Sequence, residues 1–390
     1  MNSTTKLRLN SLDIMRGLNL FLMLFVNDLF HDGVPHWLVH TKADYDGMGL
    51  ADVVFPCFLF LVGLSIPFAL SNRFQTESKF EISKHILIRT ASLLIIGVFM
   101  VNTDDYNQEL TGVNKYVWIL AGYISVFMVW NNYRSNRGAL KILGGIILLA
   151  LFIIYRAGTA SDIEYIQTRW WGILGLIGWG YLVAAFSYLF SRDNAWSIAI
   201  TFLFFLVLNC LSQLELLSFL KPAGPFIGVI LSGSVPSIVL GGLLLGVLLR
   251  KHSNEPTKFL KLAIAFGLVC IIAGFVLRNW FIISKIKGTP SWGLICIGIS
   301  TLAFALIFYL TDVKKISKWG SIFVPAGKNS LTAYLFPDII YYLIWSTGLH
   351  LFFYKQIGSQ LLAVAGSLLW AFLMIKLVAF LVKKNIQLKL

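Results

Sequence analysis

Twelve apolar runs separated by short polar breaks fill most of this chain, approximately at 14–30, 51–71, 86–101, 116–131, 141–155, 170–190, 196–216, 226–249, 259–281, 292–311, 329–347 and 359–382. A helix needs roughly 20 apolar residues to cross the hydrocarbon core of a bilayer. Within that core every backbone polar group must find its partner inside the protein. A β-barrel would alternate apolar and polar residues, whereas these runs are continuous. The pattern predicts an all-α polytopic membrane protein of about 12 (11–12) transmembrane helices, with the third to fifth runs short. Only 13% of the residues are charged, 57% are hydrophobic and the mean hydropathy is +0.78. Soluble domains carry about 25% charged residues, so a soluble enzyme, a secreted scaffold and a disordered chain are excluded.

The net charge of +14 follows from membrane topology rather than from nucleic-acid binding. With a cytoplasmic N-terminus, 23 of the 32 Lys and Arg residues fall in inner segments and nine outside, the bias expected of cytoplasmic loops. Both termini are therefore expected inside, in the cell inner membrane. Lys6 and Arg8 precede the first run, but that run holds Arg16 and lacks a small-residue cleavage site, so it is expected to remain as the first span. Cys57, Cys210, Cys270 and Cys296 lie in apolar runs without CxxC spacing and read as buried free thiols. No linker divides the chain, so residues 1–390 are expected to form one domain. Gly172, Gly175 and Gly178, and Gly242 with Gly246, mark close helix contacts. Pro56, Pro67 and Pro236 break backbone hydrogen bonds inside spans, which requires protein or a polar cavity to satisfy the freed carbonyls.

Residues 27–52, NDLFHDGVPHWLVHTKADYDGMGLAD, are the most unusual stretch. They hold Asp28, Asp32, Asp44, Asp46 and Asp52, together with His31, His36 and His40. Three readings stand: a solvated loop without function, a metal site at His36 and His40, and a catalytic loop supplying a histidine base. Pro35 and the surrounding Gly and Asp residues argue against the regular helix that the metal spacing needs. Asp13, Arg16 and Asn27 in the first run and Asp52 in the second are costly at membrane depth unless paired or facing a cavity. Asp13 and Arg16 suit a structural pair with Asn10 or Ser11 capping the helix. That account leaves Asn27 and Asp52 unexplained.

The run SLDIMRGLNLFLMLFVND, the histidine loop and GMGLADVVFPCFLFLVGLSIPFA resemble the heparan-alpha-glucosaminide N-acetyltransferase family and its bacterial relatives. The resemblance covers residues 10–102, including Arg89 in IRTASLLIIGVFMVN. It is moderate around SGSVPSIVLGGLLLGVLL and KGTPSW, and weaker at GKNSLTAY, 327–334. The family's H-A-x-W-x-G becomes His40-Thr-Lys-Ala-Asp-Tyr-Asp-Gly47, two residues longer and without tryptophan. Its P-G-V-L-Q-R segment appears only as WWGILGLIGWGY, without the Gln-Arg pair.

The resemblance implies a transmembrane acyltransferase fold that moves an acetyl group from cytoplasmic acetyl-CoA to the amine of a glucosamine-type sugar at the outer face, with no metal. It assigns His40 as base, Asn27 as oxyanion donor and Asp52 as the group orienting His40. Arg16, Arg89 and Asn329 become acetyl-CoA contacts, and a homodimer is implied. His36 stays open as the base, and direct transfer and an acetyl-histidine route stay open as mechanisms. A secondary permease for amino sugars is the rival class, since broken helices and intramembrane polar residues also describe one. It would carry an internal repeat, and residues 1–195 and 196–390 have no convincing similarity.

Overall fold

The computed structural model describes residues 9–30, 34–134, 137–349 and 359–390. Each of the twelve apolar runs carries a helix: α1 (Asn10–Asp28), α2 (Leu50–Leu70), α3 (Lys79–Val101), α4 (Lys115–Trp130), α5 (Gly138–Ile154), α6 (Ile173–Ser191), α7 (Ala195–Gln213), α8 (Ser234–Lys251), α9 (Pro256–Leu277), α10 (Pro290–Phe308), α11 (Ser330–Ser346) and α12 (Gln360–Lys383). Short helices at Gly224–Leu231 and Val324–Lys328 precede α8 and α11, and a small hairpin joins β1 (Ala157–Thr159) to β2 (Asp162–Glu164). Among the described residues, eight helical stretches are long and apolar enough to cross a membrane, against about twelve expected. The difference lies in α1, α4, α5 and α11. α4, α5 and α11 have 16 or 17 residues. α1 is diluted by Asp13, Arg16, Asn19 and Asn27.

The centre of the bundle is the pairing of α2 with α8, made possible by glycine. A Cβ at Gly63 would stand 1.8 Å from the Val239 carbonyl oxygen, and one at Gly242 would stand 1.9 Å from that of Phe60. Backbones this close exclude any side chain, which is how small residues drive helix association in lipid. α3 meets α6 in the same manner, with a Cβ at Gly97 falling 2.8 Å from the Gly175 nitrogen.

The prolines show how broken ladders are repaired. Pro56 removes the N–H that would bond the Asp52 carbonyl one turn earlier. The Trp292 indole donates to that carbonyl instead, at 3.1 Å. Near Pro236, the Asn209 amide donates to the Ser232 carbonyl at 2.9 Å and to that of Gly288 at 3.1 Å.

α1 and α2 run antiparallel, which defines two ends of the site region. At the near end α1 begins, capped by neither Asn10 nor Ser11. Asp312, after α10, accepts from the Ser11 N–H at 2.9 Å and from the Asn10 N–H at 3.3 Å. Arg16 on α1 donates to the Ser65 hydroxyl late in α2. At the far end, Tyr341 of α11 donates to Asp28 at the close of α1.

Overpacking a tight core typically costs about 1–3 kcal/mol. Gly63→Ala should therefore lower the melting temperature of the solubilised protein by several degrees. Gly145→Ala on the open face of α5, where an added Cβ meets nothing within 4 Å, should leave it unchanged or raise it slightly.

Candidate active site

The far end is organised around Asp52, which is 0% exposed. It sits at the third position of α2, where a carboxylate reaches back to the helix entrance. Oδ2 accepts from the Gly49 N–H at 3.0 Å, the Thr41 N–H at 3.1 Å and the Thr41 hydroxyl at 3.0 Å. The first turn of α2 bonds the same loop, with the Leu50 N–H on the Trp37 carbonyl at 2.7 Å. Gly49 has no room for a side chain, since its Cβ would lie 2.1 Å from the Val39 oxygen.

Oδ1 of Asp52 lies 2.7 Å from His40 Nδ1. A carboxylate held by three other donors is ionised and only accepts, so Nδ1 is assigned the proton and Nε2 keeps the lone pair. Asp52 is buried while the imidazole is 37% exposed, so its free edge meets the surroundings. Lys285, from the loop between α9 and α10, brings Nζ to 3.2 Å from Nδ1 and 3.4 Å from Nε2. Burial pushes the Lys285 ammonium below its ordinary value, and Asp52 pulls it back up.

The same α9–α10 loop clamps residues 41–49. Asp46 accepts from Arg278 Nε at 2.8 Å and from the Ile283 N–H at 2.8 Å. Lys287 pairs with Asp44 at 2.6 Å, and the Ser284 hydroxyl donates to the Ala43 carbonyl at 2.8 Å.

Nearer the opposite end is a cavity of about 360 Å³ lined by Arg16, Arg89 and Asn329, along with Lys328 and Lys389. The Arg89 guanidinium lies 4.7 Å from the centre of the Tyr181 ring, a favourable cation–π arrangement. Asn329 donates to the Pro325 carbonyl at 2.9 Å. This collection of cations against apolar walls suits a phosphorylated ligand with an apolar arm. Asn27 lines a different, smaller cavity of about 70 Å³ with Tyr334, Asp338 and Tyr341. Met23 and Tyr334 line both cavities.

Of the sequence-derived candidates, the fold thus gathers Arg16, Arg89 and Asn329 around one cavity and bonds His40 to Asp52. It leaves Asn27 on the second cavity. His36 is exposed on a turn, and His31 lies outside the described residues. Sequence reasoning missed Lys285, two residues before KGTPSW, and Asp338, a lone acid within the apolar run 329–347. Among the described residues, no three His, Cys, Asp or Glu side chains gather as a metal site requires.

These features define a helical, polytopic membrane protein with a His–Asp pair at one end and a cation-lined cavity toward the other. The chain belongs to the family described as "Domain of unknown function (DUF5009)", whose model matches residues 8–219. It is also similar to heparan-alpha-glucosaminide N-acetyltransferase of Homo sapiens, 38% identical over 98 residues, which are 25% of this chain and 14% of that protein. The protein of the same name from Mus musculus matches at the same identity and coverage. The chain thus spans about one seventh of the length of these curated relatives.

The loop clamp is acid-sensitive. The bond to the Lys287 ammonium holds the Asp44 carboxyl below its ordinary value, and the Ile283 N–H does the same for Asp46 with help from Arg278. A carboxyl lowered by folding stabilises above its unfolded pKa and loses that contribution as pH falls through the folded one. Hydrogen–deuterium exchange across 41–49, corrected for intrinsic amide rates, should therefore show protection near neutrality that falls below about pH 4. Asp46→Asn should exchange fast at both.

Proposed function

We propose that this chain is a membrane-embedded acetyl-CoA-dependent N-acetyltransferase acting on an amino sugar of the glucosamine type. One observation carries the reading: a cation-lined cavity and a His–Asp pair stand at opposite ends of α1 and α2, with a second cavity at Asn27 that shares Met23 and Tyr334 with the first. From Ser65 to Asp52 is 13 helical residues, about 20 Å at 1.5 Å per residue, a span suited to an extended pantetheine arm. The 38% identity to a protein named as an N-acetyltransferase supports the same chemistry.

In this reading residues 1–390 form one domain in the cell inner membrane, both termini are cytoplasmic, and the protein is a homodimer. Arg16 and Arg89 hold the CoA phosphates from the cytoplasmic side, with Asn329 at the cavity wall. The thioester reaches Asn27, whose amide donates to the oxyanion as the tetrahedral intermediate forms. His40 Nε2 takes a proton from the attacking nitrogen and returns it to the departing thiolate, while Asp52 holds the ring in that tautomer. The acceptor sugar sits at the outer face.

The test is to incubate purified protein with acetyl-labelled acetyl-CoA and glucosamine. Labelled N-acetylglucosamine is the expected product, formed equally with EDTA present. His40→Ala should lose at least about 100-fold in turnover and Asn27→Ala about 10²–10³. His36→Ala should stay within a few-fold of wild type. Arg16→Ala and Arg89→Ala should weaken the thermal stabilisation by acetyl-CoA, which His40→Ala keeps. Absence of any acetylated product, with intact sugar taken up by proteoliposomes, would instead assign a permease.

A further inference from the structure

The small cavity at Asn27 has a second polar wall with no role so far. Asp338 stands on α11 one turn beyond Tyr334, deep within the bundle yet with part of its surface open to the cavity. Its Oδ2 accepts from the Tyr123 hydroxyl of α4 at 2.7 Å. Other groups facing it are Tyr334 and Tyr342 from its own helix and, through Tyr341, Asp28 from α1. None is a cation, and among the described residues no Lys, Arg or His forms an ion pair with Asp338. A carboxylate at membrane depth is costly without a positive partner. The cavity of about 70 Å³ leaves room for an ammonium group beside the carboxylate.

The reaction bookkeeping calls for such a group. An amino sugar arrives mostly as R–NH₃⁺, which has no lone pair for attack. Becoming an amide costs it two protons, one ending on the CoA sulfur and one leaving for solvent. A single histidine that starts neutral and returns its proton to the thiolate handles only one of these.

We infer that Asp338 is a second catalytic residue, which captures the acceptor's ammonium group in the Asn27 cavity and takes its first proton. The step is R–NH₃⁺ plus Asp338–COO⁻ giving R–NH₂ plus Asp338–COOH. The freed lone pair then forms the C–N bond as the C–S bond breaks. The second proton passes from nitrogen through His40 to the thiolate, and Asp338 later releases its own to solvent. This rests on the acetyltransferase reading.

The experiment compares wild type with Asp338→Asn using glucosamine and labelled acetyl-CoA across pH, with melting temperatures alongside. The variant should keep its stabilisation by acetyl-CoA and lose its stabilisation by glucosamine alone, while N-acetylglucosamine stabilises neither protein. Its kcat/KM should be down about 100-fold near pH 6 and recover as pH rises past the amine's own pKa, because free amine then arrives from solution. O-methylhydroxylamine, uncharged at neutral pH, should lose far less. Tyr123→Phe deletes the hydroxyl that holds Asp338 Oδ2 in place and should weaken stabilisation by glucosamine while keeping that by acetyl-CoA, which keeps the test alive if Asp338→Asn fails to fold. An unchanged pH profile with unchanged stabilisation by glucosamine would overturn the assignment. If wild type makes no acetylated product, the transferase reading itself fails, and the glucosamine melting shift still reports whether Asp338 captures a cation.

Discussion

Burial of the Asp52 carboxylate is the constraint on which the far end of this molecule depends. A charge with no exposure is tolerated only when its lone pairs are filled. Here the donors come from Gly49, Thr41 and His40. Filling them fixes the course of residues 40–49, the entry of α2 and the face of the imidazole together. The carbonyl of the same residue, released from its helix by Pro56, is tied to α10 through Trp292. One residue therefore couples a loop, two helices and a ring tautomer, and no part of the arrangement can relax without stranding a buried charge.

The two ends of the site region divide their labour by charge and hydration. The cation-lined cavity keeps Arg16 and Arg89 together against apolar walls, where like charges repel and Asp13 offsets Arg16. The loop end is a lattice of opposite charges, Asp44 with Lys287 and Asp46 with Arg278, beside the His40 imidazole. The first arrangement leaves a cavity between its charges, and the second closes on itself.

The class of fold and most of the helix positions were legible because membrane insertion writes itself into long apolar runs. The number of spans was less so: α1 carries Asp13, Arg16, Asn19 and Asn27 within its length, and α4, α5 and α11 are shorter than a standard crossing. The bond between His40 and Asp52 could be anticipated from motif spacing, since the loop returns to the helix it precedes. Lys285 could not, because 245 residues of chain separate it from His40 and only tertiary packing joins them. The cap on α1 escaped for the same reason: Asp312 lies about 300 residues away and does what Asn10 or Ser11 was expected to do. Asp338 was visible as a lone acid in an apolar run, yet its meaning depends on a tyrosine from another helix.

Met23 and Tyr334 belong to the walls of both cavities. Two cavities that share these side chains are separated by little else, so the distance between them is set by how two residues pack rather than by the length of a helix. With water in both, much of a transmembrane voltage would fall across that partition, at about 2.3 kcal/mol per elementary charge per 100 mV. An uncharged group placed there would feel almost none of this field, whereas an ion would meet most of it.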